Sequence, residues 1–130
     1  MRVYLVRHAE AAPGEPDDLR RLTSAGRAAA RELATRLATE GVRPDAVLSS
    51  PLLRARETAA ELARPFGSSV ETDERLAPGA DAEALRAAVA GRGDAVVVVG
   101  HQPDCGRISA ELGDDPEPAF PPAGLAVLEL

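Results

Sequence analysis

The sequence predicts a three-layer α/β/α fold with a mostly parallel central sheet. Three observations carry that expectation. Apolar runs rich in β-formers, at Val3–Val6, Ala46–Leu48 and Ala95–Val99, each stop at residues that bend or cap the chain. Helical patterns fill the intervals between them. At 130 residues the chain can bury one core but not two, so residues 1–130 are expected to form a single domain. Strands alternating with helices place helices on both faces of a parallel sheet.

Taken in order, Val3-Tyr4-Leu5-Val6 reads as a strand buried on both faces. Residues 11–21 form a polar loop. Thr23 has N-cap chemistry, and Arg27 to Thr39 carries a helical pattern with Leu33 and Leu37 four apart. Gly41 lies where a glycine just past a helix end belongs. Pro44-Asp45 turns the chain into Ala46-Val47-Leu48. Ser50 reads as the N-cap, and Pro51 as the first position, of a helix reaching Ala63. Pro65-Phe66-Gly67 breaks that helix, and Ser69 to Thr72 is a weak strand. A loop over 73–80 precedes a helix from Asp81 or Ala82 to Ala90, closed by Gly91-Arg92-Gly93. Ala95 to Val99 is the clearest strand, and Asp104 to Leu112 the fourth helix. A proline-rich loop over 116–122 leads to a last strand, Leu125 to Leu130. That return is too short for a crossover helix, so this strand is expected to run antiparallel at an edge. The order of strands in the sheet is not set by these patterns.

Composition narrows the function classes. Aromatics are 2% of the chain, so the core must come from Val, Leu and Ala. The single Cys105 excludes an internal disulfide and suits a reducing cytoplasm. No stretch approaches the roughly 20 apolar residues of a membrane span. A soluble cytoplasmic chain is expected. A net charge of −6 and a pI near 4.9 argue against nucleic-acid binding. All 15 basic residues are Arg, which makes Arg the default surface cation and weakens any argument from one Arg alone.

Three strand ends carry reactive side chains. The first brings Arg7-His8, the second Ser49-Ser50-Pro51-Leu52-Leu53-Arg54, the third Gly100-His101-Gln102-Pro103. In a parallel sheet these ends share one edge, where open α/β sheets bind ligands. Neighbours on a strand point to opposite faces, so Arg7 and His8 converge only if the backbone turns after them, as Ala9 permits. Singly, each has an ordinary alternative. Arg54 could be a surface residue like Arg56, and His101 could cap the helix after Pro103. The chain holds only two His, however, and both fall at C-terminal ends of expected strands.

Four segments in order resemble the histidine phosphatase superfamily, which contains cofactor-dependent phosphoglycerate mutases and many phosphatases. They are Arg7-His8-Ala9-Glu10, Leu22-Thr23-Ser24-Ala25-Gly26-Arg27, Ser49-Ser50-Pro51-Leu52-Leu53-Arg54-Ala55-Arg56-Glu57-Thr58 and Gly100-His101-Gln102-Pro103. The short length without cap insertions is most similar to the SixA-type phosphohistidine phosphatases. The resemblance implies a phosphoglycerate mutase-like fold, His8 as the nucleophile that becomes phosphorylated, and Arg7, Arg54 and His101 as its phosphate pocket. It implies a phosphorylated protein or small phosphorylated molecule as partner.

Elementary chemistry agrees with those roles. A transferring phosphoryl group spreads charge over three oxygens, so catalysis is mostly positioning and charge stabilisation. Arg forks suit phosphate bidentately. His101 can donate a further hydrogen bond, and backbone N–H groups around Gln102 open a helix, a favourable anion site. Nearby Arg charges disfavour protonated His8, and a backbone carbonyl is expected to pin its other ring nitrogen. No cofactor is implied. Two His without a Cys partner or a tight acidic cluster make a poor metal site.

A general acid is not evident. Asp73 and Glu74 are the candidates, and solvated loop acids are the commoner case. This suits phosphohistidine, whose imidazole leaves easily, better than an ester. The alternatives are a small-molecule phosphomonoesterase or mutase-like enzyme of the same superfamily, and a non-catalytic phosphate-binding module.

Overall fold

The computed structural model describes residues 1–113 and 119–130. Its strands are β1 (Arg2–Arg7), β2 (Ala46–Ser49), β3 (Val70–Thr72), β4 (Ala95–Gly100) and β5 (Leu125–Glu129). Its helices are α1 (Ser24–Thr39), α2 (Leu53–Ala63), α3 (Ala82–Val89) and α4 (Asp104–Leu112). The strands form one sheet in the order β3-β2-β4-β1-β5. The β1–β4, β2–β4 and β2–β3 pairs are parallel, and β5 lies antiparallel to β1 at the edge, as the short return requires. The part of the proline-rich loop at 116–118 lies outside the described residues.

Alternation along the strands builds the three layers. Val3 and Leu5 of β1 join Leu48, Val96 and Val98 under α3 and α4, whose Leu85 and Ile108 complete that core. Tyr4 and Val6 point the other way, with Val47, Val97 and Val99, against Leu33 and Leu37 of α1 and Leu62 of α2. Val3, Val6, Val47, Val96 and Val97 are fully buried, each stabilising the fold by about 1.5–3 kcal/mol. Both faces of the sheet are thus covered, and its C-terminal edge is left for loops.

The helix ends follow local chemistry, with one correction. Thr23 caps α1 as its chemistry suggests, its hydroxyl accepting the Gly26 N–H at 2.9 Å, and α1 begins at Ser24. Gly41 has φ +84°, the left-handed conformation expected past the end of α1. Asp81 caps α3 through the Ala84 N–H. Ser50 does not cap α2. The helix starts at Leu53, and Leu52 occupies the cap position without a side-chain bond. The Ser50 hydroxyl is instead drawn inward to His101, and a tertiary partner overrides the local Ser-Pro capping pattern.

An ion cluster fixes α2 on α1. Glu61 is 1% exposed, and Arg27, Arg31 and Arg64 surround its carboxylate. Glu57 accepts from Arg27 and from the Leu22 N–H. A buried carboxylate must be paired to be tolerated, and here its partners come from α1 and from the residue that follows α2. Rotation of α2, and with it Arg54, is restrained.

Candidate active site

The three strand ends meet as the topology requires. His8 follows β1 directly, and its N–H donates to the Gly100 carbonyl at the end of β4. The Ser50 N–H donates to Val99, which ties the end of β2 to the same strand. Central β4 therefore holds His8 beside His101, with ring centroids 5.2 Å apart. Arg54 comes from the first turn of α2 and is 7% exposed.

The tautomer of His8 follows from its partner. Its Nδ1 lies 2.7 Å from the Ala9 carbonyl oxygen. A carbonyl only accepts, so Nδ1 carries the proton and Nε2 keeps a free lone pair. The expected carbonyl is thus that of the next residue. Burial holds the His8 pKa below the ordinary imidazole value, and the Arg54, Arg7 and Arg20 charges add to that. Burial, rather than the arginines, is the larger cause. His101 is 4% exposed and is pushed down to about 4, again mainly by burial and next by His8. Both rings are neutral at pH 7. The Nε2 of His101 shares a 2.7 Å hydrogen bond with the Ser50 hydroxyl, which also accepts the Leu52 N–H.

The two arginines are held differently. Arg7 donates through Nη1 to the Phe120 carbonyl at 2.9 Å. Its buried Nε has no hydrogen-bond partner among the described residues. A buried guanidinium donor left unpaired costs free energy, which an anion in the site can offset. Arg54 spends both terminal nitrogens on Asp17: Nη1 reaches its main-chain oxygen at 2.9 Å and Nη2 its carboxylate at 3.2 Å. Two oxygens on one fork mimic bidentate phosphate binding. Asp17 also pairs with Arg20, and these contacts hold its carboxyl below the usual range.

Gln102 presents a different picture. Its side-chain oxygen accepts the Gly106 N–H at 2.7 Å, so the amide closes the first turn of α4. Pro103, at the cap position of α4, has no N–H to offer. Any anion contact by Gln102 falls to its backbone. His101 itself does not cap α4 through its side chain; its main-chain oxygen accepts the Cys105 N–H. Asp73 receives two hydrogen bonds from the Arg75 guanidinium and one from its N–H, and its pKa is lowered. It is held ionised and poorly suited to give a proton. Glu74 is exposed in a short 3-10 turn, Glu74–Leu76.

Sequence reasoning missed Asp17, Ser50 and Thr58. Asp17 sits in a loop read only as polar, and nothing in the sequence links it to Arg54. Thr58 had a signal: it lies four residues after Arg54, one turn on along the same face. Its hydroxyl donates to the Arg54 carbonyl at 2.8 Å and accepts the Ala9 N–H at 3.0 Å.

Two strand-end histidines side by side on a parallel sheet capped by an antiparallel edge agree with a class of protein. The family model described as histidine phosphatase superfamily (branch 1) matches residues 3–78, and the chain belongs to that superfamily. Among its relatives, the phosphohistidine phosphatase SixA of Escherichia coli (strain K12) is 34% identical over 139 residues, covering 100% of this chain and 86% of that protein. An uncharacterised protein of Picosynechococcus is 38% identical over 115 residues, covering 82% of this chain and 70% of its own. A structure of the protein histidine phosphatase SixA complexed with tungstate superposes with TM-score 0.89 at 32% identity, covering 100% of this chain and 88% of that one. A mycobacterial glucosyl-3-phosphoglycerate phosphatase, at 24% identity and TM-score 0.74, shares the fold. Among the described residues no helix is long and apolar enough to cross a membrane.

Proposed function

We propose that this protein is a phosphatase that removes the phosphoryl group of phosphohistidine from proteins, through a covalent phosphohistidine on His8. The observation that carries the reading is the protonated Nδ1 of His8 on the Ala9 carbonyl, which leaves Nε2 with a free lone pair in the field of the Arg54 and Arg7 charges. Nε2 attacks phosphorus, and the bond to the substrate imidazole breaks. The leaving imidazole takes a proton from water. A water then attacks phospho-His8, releases inorganic phosphate and restores the lone pair. Arg7 and Arg54 balance the charge on the transferring group, neutral His101 contributes a hydrogen bond, and the backbone N–H of Gln102 adds a donor.

Two lines support the substrate class. Two of the proteins above are named SixA, a phosphohistidine phosphatase and a protein histidine phosphatase, and the latter was solved with tungstate, a tetrahedral oxyanion like phosphate. Ester cleavage expels an alkoxide and gains about 10²- to 10⁴-fold from a general acid. Asp73 is committed to Arg75, which disfavours it for that task. A cytoplasmic location belongs to the same reading and rests on the single cysteine. The test is a panel of phosphohistidine protein, aryl phosphates, alkyl phosphates and sugar phosphates, with wild type and His8→Ala. Phosphohistidine should be strongly preferred, and His8→Ala should be inactive on all. Equal turnover of an alkyl or sugar phosphate would move the assignment to a phosphomonoesterase or mutase-like enzyme. Binding without turnover would leave a phosphate-binding module.

A further inference from the structure

Thr58 is fully buried in the middle of α2, where threonine is a modest helix former. A buried helical threonine commonly satisfies its hydroxyl on the carbonyl four residues back, and Thr58 does so with Arg54 at 2.8 Å. Its oxygen takes a second bond that the helix does not require, the Ala9 N–H at 3.0 Å, from a residue 49 positions away. Ala9 is itself fully buried and follows the nucleophile of the reading above. Both polar groups of Ala9 are therefore assigned: the N–H to Thr58 and the carbonyl to His8 Nδ1. One hydroxyl thus links the turn that carries His8 to the helix that carries Arg54.

The other side of that turn is closed. The Glu10 carbonyl accepts the Thr23 N–H, and Gly26 approaches so near that an added Cβ would lie 2.2 Å from the Glu10 oxygen. The Ala9–Glu10 backbone is held between the start of α1 and the Thr58 hydroxyl. With the hydroxyl removed, Gly26 and Thr23 still press on Glu10, but nothing described in α2 orients the Ala9 peptide.

We propose that Thr58 is a positioning residue for phosphoryl transfer. It orients the Ala9 peptide so that its carbonyl keeps the proton on His8 Nδ1, and it sets the spacing between His8 and Arg54. The inference rests on the reading of His8 as nucleophile. Thr58→Val keeps the shape and removes the hydroxyl, while Thr58→Ser keeps the hydroxyl. Thr58→Ala serves if valine overpacks the site and prevents folding.

Three readouts decide it in variants that remain folded by circular dichroism. Rapid-quench labelling of His8 should slow by about 10- to 100-fold in Thr58→Val, in line with the cost of a small misplacement of a reacting group. Inorganic phosphate should inhibit wild type and Thr58→Val with constants within about threefold, because Arg7 and Arg54 remain to bind a ground-state oxyanion, and a larger loss overturns the proposal in favour of a damaged pocket. The ¹⁵N shifts of His8 should move away from a pure Nδ1–H tautomer in Thr58→Val. Thr58→Ser should restore all of these to within about threefold. Unchanged labelling and unchanged tautomer in folded Thr58→Val overturn the proposal, as does a Thr58→Ser variant as slow as Thr58→Val. If wild type never carries phosphate on His8, the nucleophile reading fails instead, and the tautomer measurement still decides whether Thr58 orients the ring.

Discussion

Replacing Arg54 with lysine separates charge from geometry. The wild-type fork already spans two oxygens at once, the Asp17 carbonyl and carboxylate, at 2.9 and 3.2 Å. Asp17 is 59% exposed on its side chain, so it can yield that fork to an entering phosphoryl group. Lysine keeps the positive charge but places three donors on one nitrogen and cannot reproduce two parallel bonds. A hydrogen bond to a charged group contributes about 1.5–3 kcal/mol, and Arg54→Lys loses one of two. A loss near 2 kcal/mol in the transition state corresponds to about 30-fold in kcat/KM. The assay is steady-state turnover of a phosphohistidine peptide, with circular dichroism and melting to establish the fold. Arg56→Lys is the control. Arg56 lies two residues on, and its Nε donates to the Pro51 carbonyl at the exposed surface. Its replacement should change kcat/KM by less than about twofold, the behaviour of an exposed site away from special contacts. Equal effects at the two positions, or an Arg54→Lys enzyme within about threefold of wild type, would refute the assignment of the fork.

Two further outcomes follow from the acids and the imidazoles. Asp73→Asn and Glu74→Gln should each change phosphohistidine turnover by less than about tenfold, below the usual effect of losing a general acid; abolition by either would restore that residue as the proton donor. Because His8 has a lowered pKa and acts unprotonated, the acid limb of single-turnover labelling should fall below pH 6.5, and a limb at or above 6.5 would contradict the burial argument. His101, pushed down to about 4, binds fewer protons folded than unfolded in the window between about 4 and 6.5. Its contribution to stability is complete above that window and is lost as pH falls through it. Urea unfolding of wild type should show that loss, and His101→Asn should flatten it.

The legible parts of this fold were those set by short-range pattern. Val3–Val6 and Ala95–Val99 announce buried strands because apolar runs end at breakers, and Val3–Val6 and Val96–Val99 are buried here. Thr23 and Gly41 mark the ends of α1 by local backbone chemistry alone. That both histidines would stand at one sheet edge was legible because a parallel sheet gathers C-terminal ends, whatever the strand order. The order itself, with β4 between β1 and β2, was not legible, since it depends on which faces α1 and α3 cover. Ser50 was misread because its sequence neighbour Pro51 suggests a cap, whereas its partner His101 lies 51 residues away. Asp73 read as a possible acid because its pairing with Arg75 depends on side-chain conformation. Asp17 on Arg54 and Thr58 on Ala9 are contacts between elements 37 and 49 residues apart, which periodicity does not encode.

The central claim is that His8 Nε2 takes the phosphoryl group. Brief incubation of wild type with ³²P-phosphohistidine protein, quenched in denaturant and mapped by peptide, tests it directly. One phosphate should appear on His8, stable in alkali and lost in acid, as expected of a phosphoramidate, and it should be absent from His8→Ala. Label on Ser49, Ser50 or Cys105, or steady turnover by His8→Ala, would contradict the account.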